Sequence, residues 1–374
     1  MMADLALRSG LSVSGGVFIA HRDNARLTID DTGLDILPGF IDVHGDAFER
    51  ALAPRPGVTL PIAIAIAEVE AQLLAAGVTT AFLAVTLSWE AGLRSAETYK
   101  TLRDALAKRP AGTLPDLRLH VRFEAANLDA LEMLLADIEA GHVHMLSFND
   151  HTPSIVKKLP NPVAVSKFAE RSGQSYEAFC EDARRAGAVP QGAIQAAHLR
   201  LAGAAREAGI PMASHDDRTL EERAYFRGLG AEIAEFPTTL EVALAAAAAG
   251  APTVMGAPNV VRGGSHTGWH GAEALVQRQA CSILCSDYHY PSLLQAVYRL
   301  ARNQSAAFDD AVALVSSNAA AAANLTDRGS LTQGQRADFL LVEPGEFPRL
   351  VATIAAGQIA YLAPGAATRL KTRD

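Results

Sequence analysis

His44 and Asp46 stand two residues apart at the end of an apolar run, in the segment LPGFIDVHGDAFER at 37–50. On a strand, residues at that spacing point the same way, so an imidazole nitrogen and a carboxylate oxygen can meet one divalent cation such as zinc, manganese or iron. An isolated H-x-D serves equally well as a hydrogen-bonded surface pair, so partners elsewhere in the chain must decide. They recur where further apolar runs end: His120, Arg122 and Glu124 in LRLHVRFE, Asn149-Asp150-His151, Ser214-His215-Asp216-Asp217, and Ser286-Asp287-Tyr288-His289. Three polar groups on one face of LRLHVRFE cannot all enter a packed core without partners. Glu124, at the exit of that run, is the candidate for a carboxylate shared between two ions.

The elements that must carry these residues alternate. Short β-rich runs at 39–44, 77–85, 117–124, 142–149, 210–216, 231–237, 252–258 and 281–287 are predicted strands. Ala/Leu-rich stretches at 61–76, 91–108, 127–140, 190–208, 219–229, 239–249 and 270–279 are predicted helices. Eight strands alternating with helices predict an α/β fold, a closed (β/α)8 TIM-like barrel over 37–328, with its chemistry at the strand ends. Residues 1–36 and 329–374 read as short β segments with Gly-containing turns and are expected to pair into one small β-sandwich domain. Segment 151–190 exceeds an ordinary βα loop, and reads either as a lid or as a rigid helical insertion.

Composition narrows the partners. The 374 residues are 49% hydrophobic with a formal net charge of −8 and no concentrated Lys/Arg run, which argues against nucleic acid or an anionic membrane surface as partner. The longest apolar stretches are too short to span a bilayer. The opening MMADLALRSG carries Asp4 and Arg8 and lacks a signal-peptide core, so a cytoplasmic location is expected. Cys180, Cys281 and Cys285 are expected as buried free thiols. The Ala-rich outer helices can pack on the barrel or on a second copy of the chain, leaving both monomer and homo-oligomer open.

Eight segments, in order, resemble the amidohydrolase superfamily and most closely its phosphonate-metabolism members. They are LPGFIDVHGDAFER, APRPGV at 53–58, AAGVTTAF at 75–82, HVRFEA at 120–125, LSFNDHTP at 146–153, ASHDD at 213–217, MGAPNVVRGGSHTG at 255–268 and CSDYHYPSLL at 285–294. The resemblance implies one or two divalent ions, zinc first and manganese or iron as alternatives, held by His44, Asp46, Glu124, His151, His215 and Asp287. Glu124 would stand where relatives often carry a carboxylated lysine. Asp287, with His215 and Glu124, would form the catalytic group, Asp287 being ligand and general base together. Arg262 and His266 of VVRGGSHTG, and Arg55 of APRPG, would contact an anionic small-molecule substrate. Asp150, Asp216, Asp217 and Glu49 would orient imidazoles.

The activity so implied is hydrolysis of ribose 1-alkylphosphonate 5-triphosphate with release of pyrophosphate. Two departures bear on it: Ser154-Ile155-Val156-Lys157-Lys158 replaces the usual G-Q after D-H-T-P, and Trp269-His270 replaces the usual Asn after S-H-T-G. They leave open a hydrolase of a C–N bond in an amide, cyclic imide or amino-heterocycle. A polyanion needs cations beyond the metals, and Lys157, Lys158, Arg262 and Arg55 are available to supply them. A barrel that has lost catalysis and only binds is the third reading, opposed by the retention of every candidate ligand.

Overall fold

The computed structural model describes residues 4–22, 24–55, 57–264 and 271–372. Eight parallel strands form one sheet in chain order: Phe40–Gly45, Val78–Leu87, Asp116–Glu124, Met145–Asn149, Met212–His215, Ile233–Glu235, Thr253–Gly256 and Ile283–Cys285. The eighth strand returns to the first. Gly45 and Asp287 form a parallel bridge, with Asp46 N donating to Asp287 O at 2.9 Å and Asp287 N to His44 O at 3.0 Å. The fold is therefore the (β/α)8 barrel the alternation predicts, and its seam closes at two of the candidate site segments.

Burial on both faces explains why the strands read as near-continuous apolar runs. Val78–Leu87 is buried at every position. Inside the barrel Ile41, Val43, Phe82, Met145, Ala213, Ile233, Val254 and Ile283 pack together, and the helix Ser317–Ala322 adds Ala319 and Ala320 to the same cluster. Three of the surrounding helices begin where short polar side chains cap them: Ser95 accepts from Thr98 N, Thr219 from Glu222 N and Thr239 from Val242 N. Among the described residues, no helix is long and apolar enough to cross a membrane.

Gly77 joins the helix Ile62–Ala75 to the second strand at φ 83°, and its carbonyl accepts from Phe40 N at 3.0 Å. A Cβ there would lie 2.7 Å from Leu340 Cδ1. Gly77→Ala is accordingly expected to destabilise the fold by about 1–3 kcal/mol, seen as a lower denaturant midpoint at unchanged slope. An unmoved midpoint would contradict this account of the junction.

Both termini contribute to two further sheets. One runs Leu370–Thr372, Leu27–Ile29, Leu5–Leu7, Ser12–Ser14, Val17–Ile19; the other runs Gln358–Leu362, Arg349–Ala355, Phe339–Glu343, Asp35–Pro38. Leu5, Val13, Phe18 and Ile29 of the first share a core with Phe339, Leu341 and Ile354 of the second. Segment 151–190 is a helical insertion of Thr152–Lys158, Pro162–Ser172 and Tyr176–Gly187, whose residues Ile155, Val165, Phe179 and Cys180 form a core of their own. All three cysteines are buried and free.

Candidate metal centre

The polar layer above the barrel's apolar filling is organised around Glu235, the last residue of the sixth strand. His44 Nδ1 lies 3.1 Å from Glu235 Oε1, while His215 Nδ1 and Ser147 Oγ lie 3.4 and 2.9 Å from Oε2. A neutral imidazole that donates its Nδ1–H to a carboxylate keeps its lone pair on Nε2. This arrangement therefore leaves a lone pair on Nε2 of both His44 and His215, the latter accepting from Arg122 Nη2 at 2.9 Å, a contact that a bound metal would displace. His120 reaches the same state by another route, with Nδ1 donating to Val43 O at 3.0 Å. Its Nε2 is buried without a hydrogen-bond partner, 3.7 Å from Glu235 Oε2. Two electron-rich atoms with no proton between them fit a cation.

Electrostatics agree with that assignment. Burial, reinforced by Arg122, holds His44 down to about 3, and burial also holds His120 down to about 4. Burial and the same arginine keep His215 well below its ordinary value. These rings are neutral at physiological pH and able to ligate. Burial, with Asp46 as neighbour, pushes Asp287 up to about 7, and Asp42 rises to about 6 chiefly through burial. Such crowding of buried carboxyls is what a bound cation relieves.

Two groups of side chains each bring one potential ligand atom per residue within 4.8 Å of the others: His44, His120 and Glu235 in the interior, and His151, His215 and Asp216 nearer the mouth. The rings of His44 and His215 stack with centroids 5.3 Å apart, and those of His215 and His151 meet edge to face at 5.9 Å. Phe236 packs against both His44 and His215 at 4.9 and 5.3 Å. It does so at φ 51°, while Asp216 and Asp287 also have positive φ, at 60° and 54°. Left-handed backbone is rare for a bulky aromatic residue, and concentrates where surrounding structure enforces a geometry for function.

Of the six expected ligands, His44, His151 and His215 fall within these two groups. Asp46 and Asp287 flank them on the barrel seam, where their charges repel. Glu124 is occupied differently: Oε1 accepts from His151 N, Thr152 N and Thr152 Oγ1 at 2.8, 3.0 and 2.8 Å, and Oε2 from Asn149 Nδ2 at 2.8 Å. Although burial opposes ionisation, the His151 ring and the Thr152 donors hold its carboxyl below the usual range. Its Oε2 lies 3.4 Å from His151 Nδ1, so it touches a candidate ligand directly.

Asp216 joins the mouth group itself, whereas Asp217 turns away to Ser214 Oγ and Arg223. Glu49 lies 4.0 Å from Arg94, and Asp150 lines a cavity. That cavity, of about 540 Å³, opens over His151, His215 and Asp216 and is walled by Gln191, Gln195 and Tyr225 among others. His198 also lines it from the helix Gln191–Glu207, with Nδ1 3.2 Å from Tyr225 Oη. Arg55 is exposed and lines a separate cavity of about 340 Å³ with Lys167 and Arg171. Lys157 and Lys158 end the first insertion helix, Lys158 lying over the Phe168 ring. Arg262 ends the helix Ala257–Arg262. His266, Trp269 and His270 lie outside the described residues.

Glu235 and the ligating capacity of His120 are absent from the ligand set drawn from the sequence. The available signal was a carboxylate immediately after Ile233 and Ala234 in an apolar strand, where an unpartnered charge is prohibitive.

Comparison with known proteins places this geometry. The family pattern for the amidohydrolase family matches residues 36–368. The chain is 34% identical over 319 residues to the alpha-D-ribose 1-methylphosphonate 5-triphosphate diphosphatase of Escherichia coli, covering 84% of each protein. In fold it resembles 5-methylcytosine deaminase from Klebsiella pneumoniae (TM-score 0.62, 16% identity, 97% of each chain). It also resembles D-hydantoinase from a Bacillus species (TM-score 0.54, 12% identity, 96% of this chain and 94% of that one). With the pattern running through the barrel and a relative aligned over most of both lengths, the chain is a hydrolase and belongs to the amidohydrolase family.

Proposed function

We propose that the protein is a metal-dependent diphosphatase of phosphonate metabolism, acting on alpha-D-ribose 1-methylphosphonate 5-triphosphate or a close alkylphosphonate analogue and releasing pyrophosphate. The observation that carries this reading is the 34% identity to the E. coli enzyme over 84% of both chains. On this reading residues 37–328 carry the reaction, and 1–36 with 329–374 form a separate small domain.

His44 and His120 would hold one divalent ion beside the Glu235 carboxylate that fixes the His44 ring, and His151, His215 and Asp216 a second, with Asp46 and Asp287 as the further carboxylates of the seam. Nitrogen and oxygen donors of this kind accept zinc, manganese or iron. Such an ion supplies a water of near-neutral pKa and polarises a phosphoryl oxygen. Asp287 would take the water's proton on its carboxylate. Arg122, whose Nη2 lies 2.9 Å from His215 Nε2, would neutralise charge developing beside it. Glu124 would fix His151 by gripping the start of the insertion helix.

C–N bond hydrolysis is the second reading, favoured by one feature. The rim of the 540 Å³ cavity sets Asp150, Asp216, Glu221 and Glu222 against Arg218, a balance better suited to a neutral or hydroxyl-bearing group than to a polyphosphate. The deciding assay supplies the metal-loaded enzyme with the sugar triphosphate and, separately, with a panel of amides and amino-heterocycles. Stoichiometric pyrophosphate is the expected result. Its absence with zinc, manganese and iron alike, together with ammonia or acid release from the panel, would transfer the assignment to the second reading.

A further inference from the structure

At the exit of the eighth strand, two exposed arginines converge on Tyr288. Arg50, on the helix Phe48–Leu52, donates through Nη2 to the backbone carbonyl of Tyr288, and Arg262 Nη1 stands 3.4 Å from the Tyr288 hydroxyl. Behind them Arg299 donates to Val261 O at 3.0 Å, securing the last turn of the helix that ends in Arg262. Every ion pair among the described residues is formed by other side chains, so none of these three guanidiniums has a carboxylate partner there. Exposed guanidiniums that form no ion pair and stand beside a reaction centre are free to take an anion from outside.

A guanidinium offers five N–H donors in a planar fork matched to phosphate oxygens. Arg50 and Arg262 each direct one toward Tyr288, which orients the fork and leaves the remainder for a ligand. Both side chains belong to exposed residues. Tyr288 directly follows Asp287, so an anion gripped by the two forks lies next to the carboxylate that would receive the water's proton. The cavity over His151 is rimmed by acids and lacks either arginine.

We propose that Arg50 and Arg262, oriented on the carbonyl and hydroxyl of Tyr288, form a clamp for the departing pyrophosphate end of the substrate, while the sugar end occupies the acidic-rimmed cavity. This inference rests on the diphosphatase reading for its ligand, and its test separates the two. Pyrophosphate binding to the metal-loaded protein would be measured by calorimetry for wild type, Arg50→Ala, Arg262→Ala, the double variant and Arg50→Lys, with metal content determined for each. Arg349→Ala serves as a charge control, because Arg349 lies on a terminal sheet with its side chain 77% exposed.

Each alanine variant is expected to bind pyrophosphate roughly 10- to 100-fold more weakly at unchanged metal content. Arg50→Lys should recover part of that loss, and the control should match wild type. Affinity in the double variant no weaker than in the control would overturn the clamp. Weakened binding in the variants, alongside wild-type protein that releases no pyrophosphate from the sugar triphosphate, keeps the clamp and rejects the diphosphatase reading. Undiminished binding with release intact does the reverse.

Discussion

Glu235→Gln is expected to leave the purified protein with less bound metal and to lower turnover by roughly 10- to 100-fold. The change is nearly isosteric, so the effect reports chemistry and not volume. Glu235 has two carboxylate oxygens facing His44, His120, His215 and Ser147. A carboxylate accepts from His44, His215 and Ser147 and leaves an anionic oxygen beside the unprotonated His120 Nε2, whereas an amide places two N–H groups where an acceptor is required. At least one of His44 and His215 then loses its partner for Nδ1–H, and the proton is free to move to Nε2, which removes the lone pair that ligates. Glu235 is 1% exposed, so water cannot replace the missing acceptor cheaply. The stranded N–H costs about 1–3 kcal/mol, so the metal-free variant should melt only modestly below metal-free wild type and still unfold cooperatively. Metal analysis by mass spectrometry and the melting comparison together separate a lost site from a lost fold. A fully metallated, fully active Glu235→Gln would refute the central role given to this carboxylate.

Why this residue escapes a reading of the sequence, when the barrel does not, follows from what each depends on. Strand existence is a local property: VTTAFLAVTL can only be buried on both sides, and Thr219 and Thr239 announce the helices they cap. Site membership depends on depth along the barrel axis, which local pattern does not encode. His120, Arg122 and Glu124 share one face by period two, yet they occupy three levels. His120 reaches Glu235 in the interior, Arg122 reaches His215 above it, and Glu124 meets the start of the helix Thr152–Lys158 at the rim. The sequence singles out Glu124 because it stands at the strand's exit, but donors from residues 149–152 occupy both of its oxygens. Residues as distant in sequence as His44 and Glu235, 191 positions apart, become partners only once strand order and stagger are set. The strand-end rule is nonetheless informative: His44, His151, His215 and Asp287, the residues it singles out, all lie on this end of the barrel.

Asp287→Asn should retain the fold and lower turnover by about 10²- to 10⁴-fold, the range expected when a general base is removed. Asp287 sits at φ 54°, and asparagine tolerates left-handed backbone about as well as aspartate, so the substitution does not strain the strand end. Its main-chain links to the first strand, Asp287 N to His44 O and Asp46 N to Asp287 O, are indifferent to the side chain. Only the carboxylate changes. Gly256 shows how closely that group is fitted, since a Cβ there would lie 3.0 Å from Asp287 Oδ2. If Asp287 acts chiefly as base, the variant keeps its metal and loses only the chemical step, so single-turnover rates fall while pyrophosphate affinity holds. If it also ligates, metal content falls as well, and excess metal in the assay restores binding without restoring rate. Activity within a few-fold of wild type at full metal content would remove Asp287 from the mechanism and shift the search for the base to Asp46 and Asp216, two of the carboxylates whose charges it feels.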